Sequence, residues 1–334
     1  MSIFTNDPLQ IITFQSYGTS SHLYCRGRAL EDENIDLTKK GFFSLLKNTW
    51  KRFETDEIPN TRLKLQLPDD TTHYIHTNHE GYYKIDLPEE NLQKQINSEG
   101  WLPYEISYDP PIKNKVIQQE NRFAGEMLIP PSTAKFGIIS DIDDTILHTG
   151  VASFFKWRLI FNTFFKNAES RSPLEGAADF YHKLHQGKTG KEANPLFYVS
   201  NSPWNLYRYL ELFLQKNKFP KGPILLRDFR APFEKKIKRE RPHKQHEVRN
   251  ILDTYPSLKF ILIGDAGEHD ADIYLEVAKE FPGRILAIYL RSVQHAKKRL
   301  RILELFDGFN AIPTLLVESS EEAVQHAKAA GFIK

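Results

Sequence analysis

The chemistry in this chain gathers first at Asp141-Ile142-Asp143-Asp144-Thr145, which follows the apolar run Phe136-Gly137-Ile138-Ile139-Ser140. Two carboxylates spaced two apart, just after a buried strand, can face one site from one loop. Asp141, as a carboxylate, can attack phosphorus and form an acyl phosphate. Asp143 can protonate the leaving oxygen and then deprotonate the attacking water. The roles need different protonation states, so the surroundings must hold the two pKa values apart. A bare Asp-x-Asp pair is also what an acidic turn looks like; the longer string after an apolar strand, and the partners below, favour chemistry.

Those partners recur at similar places. The run 196–199 (LFYV) leads into Ser200-Asn201-Ser202. A hydroxyl and a backbone N–H at a strand end can bind a phosphoryl oxygen, which makes Thr145, Ser200 and Asn201 candidate phosphate contacts. Lys244 stands beside His243, just before a predicted helix over 246–255. Its ammonium can neutralise charge on a transferring phosphoryl group, although alone it is one lysine in a solvated basic stretch. The run 260–264 (FILIG) leads into Asp265, and Asp270 opens a predicted helix over 270–281. Mg²⁺ takes carboxylate oxygens and keeps several waters. Asp265 is the candidate direct ligand. Asp270 is a ligand, a partner standing behind the ligands, or an acidic residue favoured by the helix dipole.

The elements that must position these residues change character near residue 130. Before it, Leu63, Leu65 and Leu67 alternate with polar residues, as do Tyr104, Ile106 and Tyr108, and Tyr83, Ile85 and Leu87 resume the pattern after a turn at Gly81. Period-two alternation predicts strands with one buried face, hence a small β-sandwich over about 1–125. A helix-like spacing at 41–53 is the exception. From about 134, apolar runs at 136–140, 196–200, 224–226, 260–264, 285–290 and 314–317 alternate with helical stretches at 205–217, 246–255, 270–281 and 320–330. That order predicts βαβ units and a mostly parallel sheet, whose active sites lie beyond the C-terminal strand ends. Ser319-Ser320-Glu321-Glu322 has the capping-box pattern. A cap insertion is expected at about 150–195. Within it, Phe154, Trp157, Ile160, Phe161, Phe164 and Phe165 share one broad helical face opposite Lys156, Arg158 and Lys166. Such a face packs on a domain or lies in a membrane headgroup region.

Bulk properties set the outer limits. The 334 residues suffice for two domains, and 40% apolar content is ordinary for packed cores. A formal charge of +2 argues against a chain wrapped in nucleic acid. The basic stretch 234–250 and the cluster Lys297, Lys298, Arg299 and Arg301 are local exceptions, read as solvated faces or as contacts for anionic lipid. The single cysteine, Cys25, excludes an internal disulfide and reads as a plain strand residue. No secretory signal or spanning segment is visible, so a cytoplasmic protein is expected, with membrane contact at most peripheral.

In order along the chain, DIDDT, VS, K and GD-x4-D resemble the motif set of the haloacid dehalogenase superfamily. The longer strings IISDIDDTILHTGV, FYVSNSPWNL, GPILLRD, RPHK and FILIGDAGEHDADIYLEVAKEFPGRILAIYLR resemble the bacterial members of the actin-patch-associated phosphatidate phosphatase family, over about 134–334. YGTSSHLYCRGRAL and EGYYKIDL are similar to that family's N-terminal region, and the latter also resembles transthyretin-like sandwiches. The resemblance implies a Mg²⁺-dependent phosphatase that converts phosphatidate to diacylglycerol. It implies Asp141 as nucleophile and metal ligand, and Asp143 as acid/base and ligand through its carbonyl. Ser200 and Lys244 would hold the phosphoryl group, and Asp265 would complete the metal site. The expected architecture is a transthyretin-like β-sandwich at 1–125, then a Rossmann-like, haloacid dehalogenase-type α/β domain at 126–334. Two other readings stay open: a phosphatase for a soluble phosphomonoester such as a sugar phosphate or nucleotide, and a lipid-surface recruitment protein in which catalysis is secondary.

Overall fold

Alternating apolar side chains need two sheets to cover them, and the N-terminal half supplies both. The computed structural model describes residues 7–31, 57–142, 176–227, 242–266, 269–292 and 296–334. The chain divides into two compact units, Met1–Pro131 and Ser132–Lys334. In the first unit, β1 (Leu9–Phe14), β3 (His22–Glu31) and β6 (Tyr82–Pro88) form an antiparallel sheet in the order β1-β3-β6. β2 (Ser16–Tyr17), β8 (Phe123–Leu128), β7 (Trp101–Tyr108), β4 (Arg62–Gln66) and β5 (Thr72–His76) form a second sheet in the order β2-β8-β7-β4-β5. Inward residues of both sheets share one cluster around Leu23, Cys25, Ile85, Leu65, Leu102 and Met127, and another around Leu9, Ile11, Leu63, Ile106 and Phe123. Burial pushes the Cys25 thiol pKa up, which removes thiolate character and leaves a packing residue. β8 lies between β2 and β7 in the second sheet, pairing with β7 from Ile106↔Phe123 to Trp101↔Leu128, which carries the unit past residue 125. The helix expected at 41–53 lies outside the described residues.

The second unit is built on six parallel strands: β9 (Gly137–Asp141), β10 (Leu196–Pro203), β11 (Ile224–Arg227), β12 (Phe260–Asp265), β13 (Ile285–Arg291) and β14 (Thr314–Val317). Their order is β11-β10-β9-β12-β13-β14. Central strands of such a sheet are buried on both faces, which is why they read as unbroken apolar runs. The helices are α1 (Ala177–Gln186), α2 (Tyr207–Lys216), α3 (His243–Thr254), α4 (Asp270–Glu280), α5 (Ala296–Leu305) and α6 (Ser320–Ala329). α3 and α4 are tied together by Arg249, whose guanidinium meets Glu276 and Glu280 at 2.7 Å each. At the last helix, Ser319 accepts the Glu322 N–H, while Glu322 accepts from the N–H of Glu318, one residue earlier than a strict capping box.

α1 corrects the extent expected for the cap. It falls inside 150–195, yet it packs on the sheet: Phe180 meets the Tyr289 ring at 5.5 Å, and Tyr181 stacks on Tyr198 at 6.5 Å. Its buried residues Ala177, Phe180, Tyr181 and Leu184 form one helical stripe that the sheet covers. The helix Ala177–Gln186 therefore packs as one of the layers on the sheet. The aromatic stretch 153–167 and the basic residues 234–241 lie outside the described residues.

Candidate active site

In chain order, the six strands lie 3-2-1-4-5-6. From β9 the chain steps outward through β10 and β11, then returns to β12 on the other side. An order of this kind places the ligand crevice at the switch point, outside the C-terminal ends of β9 and β12. Asp141 and Asp265 are the last residues of those two strands. Ser140 pairs with Ile263, so the acids end neighbouring strands one residue out of step. On the other flank Val199 pairs with Asp141, which places Ser200 one residue further along β10.

Alternation turns Asp141 toward the face covered by α3 and α4. There Lys244 Nζ lies 2.8 Å from Asp141 Oδ1 and donates to Asp270 Oδ1 at 2.5 Å. The ion pairs are enclosed, with side-chain exposures of 3% for Lys244, 0% for Asp141 and 1% for Asp270. Lys244 breaks two local rules at once. A cation in the first turn of a helix opposes the dipole, and an ammonium out of water loses hydration. Burial alone lowers its pKa; the carboxylates of Asp141 and Asp270 outweigh that and hold it well above the ordinary lysine value. A residue kept against local preference by two long-range partners is a mark of a site rather than of a helix.

Asp270 organises this cluster. One oxygen takes the Lys244 ammonium, and the other accepts the backbone N–H of Asp265 at 3.3 Å. Asp270 thus links α3, α4 and the end of β12, and its place in the first turn of α4 suits the dipole. Behind it, Tyr274 donates to the Ile263 carbonyl at 2.9 Å. Gly264 makes the close approach possible: a Cβ there would stand 2.6 Å from Asp270 Oδ2 and 2.7 Å from Tyr274 Cε2. Gly264→Ala is expected to destabilise the protein by about 1–3 kcal/mol, the usual cost of overpacking, read as a lower denaturant midpoint at unchanged slope.

From the opposite face, α1 reaches the same strand end. Ser140 Oγ donates to the Asp141 carbonyl at 2.8 Å, which leaves Tyr181 Oη, 2.6 Å away, to donate to Ser140. This chain fixes the backbone of Asp141 from below while Lys244 fixes its side chain. Ser200 is buried and its Oγ accepts the Ser202 N–H at 2.9 Å; Asn201 is exposed. Asp143 and Thr145 lie outside the described residues. Among the described residues, no group of three His, Cys, Asp or Glu side chains is placed to hold a metal ion. Asp141 and Asp265 are the carboxylates at the crevice, with Asp270 turned to Lys244 and the Asp265 amide.

Ser140, Tyr181 and Tyr274 were not among the residues singled out from sequence. The stripe Ala177, Phe180, Tyr181, Leu184 carries the i, i+3, i+4, i+7 signal that marks α1. No local pattern says that Tyr181 touches Ser140.

Fold and site together define a doubly wound parallel α/β domain with a buried carboxylate–lysine cluster at its switch point. Residues 136–292, which contain the whole cluster, match the family model described as "Phosphatidate phosphatase APP1, catalytic domain". The chain is 33% identical over 247 residues to "Phosphatidate phosphatase APP1" of Saccharomyces cerevisiae, covering 72% of this chain and 39% of that protein. It is 34% identical over 157 residues to an uncharacterised protein of Schizosaccharomyces pombe, covering 47% of this chain and 25% of that protein. The chain thus spans well under half the length of these curated relatives. A solved structure of Bacteroides thetaiotamicron EndoBT-3987 aligns at 7% identity over 92% of this chain and 72% of its own, with a TM-score of 0.22, too low to bear on the fold.

Proposed function

We propose that this chain is a phosphatidate phosphatase of the family just named, acting through an aspartyl-phosphate on Asp141. The observation that carries the proposal is the ion-paired triad of Asp141, Lys244 and Asp270 at the switch point, lying wholly inside the matched region. The yeast relative's name supports the substrate. On this reading the second unit is a haloacid dehalogenase-type domain. The first is a transthyretin-like β-sandwich serving as a structural or docking module.

The donor set fits Mg²⁺. Asp141 and Asp265 are buried carboxylates that end adjacent strands. Mg²⁺ is held through one or two such carboxylates together with waters. Asp141 and Asp265 would hold the ion with the Asp143 carbonyl, and waters would fill the remaining positions. Bound there, Mg²⁺ supplies charge neutralisation for phosphoryl oxygens.

The residues then divide the work. The Asp141 carboxylate attacks phosphorus in line, and the phosphorus–oxygen bond to diacylglycerol breaks. Asp143 gives its proton to the departing oxygen. Asp143, now ionised, takes a proton from water, whose oxygen attacks phosphorus and releases phosphate with Asp141 restored. Lys244, with Ser200 and neighbouring contacts from Asn201 and Thr145, meets the charge spread over the equatorial oxygens. Asp270 holds Lys244 and the end of β12 in place.

A substrate panel with purified protein tests the reading. Phosphate release from phosphatidate in mixed micelles is expected to exceed release from sugar phosphates and nucleotides, and to vanish when Mg²⁺ is chelated. Faster turnover of a soluble ester would replace the lipid substrate with that ester.

A further inference from the structure

α5 is built the wrong way round for a helix that only packs. Its sequence is AKKRLRILEL, and Ile302 is its buried residue. Leu300 and Leu303 are 56% and 55% exposed. At 100° per residue, Leu300 lies nearly opposite Ile302, with Ala296 and Leu303 on the same outward side. Lys297 and Arg301 flank that strip on one side, with Glu304 beside Lys297, and Arg299 flanks it on the other. Four basic residues stand against one acid, Glu304. An outward apolar strip with basic flanks is the pattern of a helix that seats at a lipid interface, where leucines enter the acyl boundary and cations meet anionic headgroups.

Its position adds a second argument. Arg301 Nη2 lies 2.6 Å from both carboxylate oxygens of Asp272, in the first turn of α4, two residues from Asp270. Arg299 pairs with Glu318, next to the N-cap of α6 at the C-terminal end of β14. β13, which feeds α5, ends at Arg291 beside Asp265. The helix is therefore anchored along the edge of the sheet where Asp141 and Asp265 lie. An anionic surface met by α5 would lie at the same edge as the crevice.

We propose that α5 docks this protein on anionic membrane surfaces through Leu300, Leu303 and the flanking Lys297 and Arg299. The proposal rests on the lipid-phosphatase reading for its purpose, but the binding itself requires no catalysis. The test is co-sedimentation of the full chain with phosphatidylcholine vesicles, with and without phosphatidylserine, which is not a phosphomonoester. The wild type is expected to bind the phosphatidylserine vesicles and to be released by salt. Lys297→Glu and Leu300→Ser/Leu303→Ser are each expected to weaken that binding by roughly tenfold or more. All three side chains are exposed, so thermal melting should show both variants folded; if the leucine pair fails to fold, the lysine variant decides.

No binding by the wild type, or undiminished binding by the variants, overturns the proposal. Retention on an acidic protein surface without vesicle binding, or a concentration-dependent dimer lost in the leucine variant, overturns it in favour of a protein partner. Phosphate release by the wild type, measured in parallel, separates the two readings. Vesicle binding without hydrolysis keeps the docking surface and removes the phosphatase; hydrolysis without vesicle binding does the reverse.

Discussion

Asp141→Asn is expected to lower phosphate release by about four orders of magnitude or more, the scale seen when a covalent nucleophile is removed. The amide keeps the shape of the carboxylate and cannot form the acyl phosphate. The accompanying stability change distinguishes this site from a structural ion pair. Lys244 serves both Asp141 and Asp270, and it retains Asp270 when Asp141 is neutralised. The variant should therefore unfold at the same or a higher denaturant concentration than the wild type. Loss of activity with no loss of stability is what a charge arrangement kept for chemistry predicts. A variant that is both inactive and markedly less stable would make Asp141 a structural residue.

Lys244→Met is expected to fail on both counts. Methionine matches the length of the lysine stem but leaves Asp141 and Asp270 facing each other in an enclosed site. Removing one partner from a buried ion pair costs about 3–5 kcal/mol. Here the lost cation serves two carboxylates, so the upper part of that range is expected, measured by chemical denaturation near neutral pH. The pH dependence has a definite sign. The folded-state pKa of Lys244 is raised, by Asp141 and Asp270 acting against burial. Its contribution is therefore complete below the ordinary lysine pKa of about 10.4 and is lost as pH climbs from there through the raised value. The stability gap between wild type and Lys244→Met should hold from neutral to mildly alkaline pH and close only above that range. A gap that closed between pH 5 and 8 would mean that another group carries the effect.

The legible parts of this protein were those where one segment carries its own signal. Asp141 and Asp265 stood out because each ends an apolar run, and a run buried on both faces in a parallel sheet has no polar residues to blur it. Ser200 was visible for the same reason. Lys244 was legible by type, but its helix starts at His243 rather than at 246, because Pro242 sets the N-cap without a side-chain cap to announce it. Asp270 left three roles open, since what decides among them is a lysine 26 residues away. Tyr181 is 41 residues from Ser140, and its helix was hidden in a stretch assigned to a cap.

In the first unit, β4, β6 and β7 were read from large alternating residues. β3 alternates too, but after Leu23 its inward set is Cys25, Gly27 and Ala29, small side chains that carry little apolar signal. Gly27 has to be small, because a Cβ there would lie 2.3 Å from the Ile12 carbonyl oxygen and 2.4 Å from Tyr83 Oη. What sequence periodicity misses here is packing between strands, a property of pairs of segments rather than of either one.

The central claim is that Asp141 carries the phosphoryl group. The direct measurement is acid quenching of the protein during turnover, followed by peptide mass analysis. A phosphoryl adduct is expected on the peptide containing Asp141, discharged by hydroxylamine as an acyl phosphate and absent from Asp141→Asn. Steady phosphate release with that peptide unmodified, or an adduct that persists in Asp141→Asn, would contradict it.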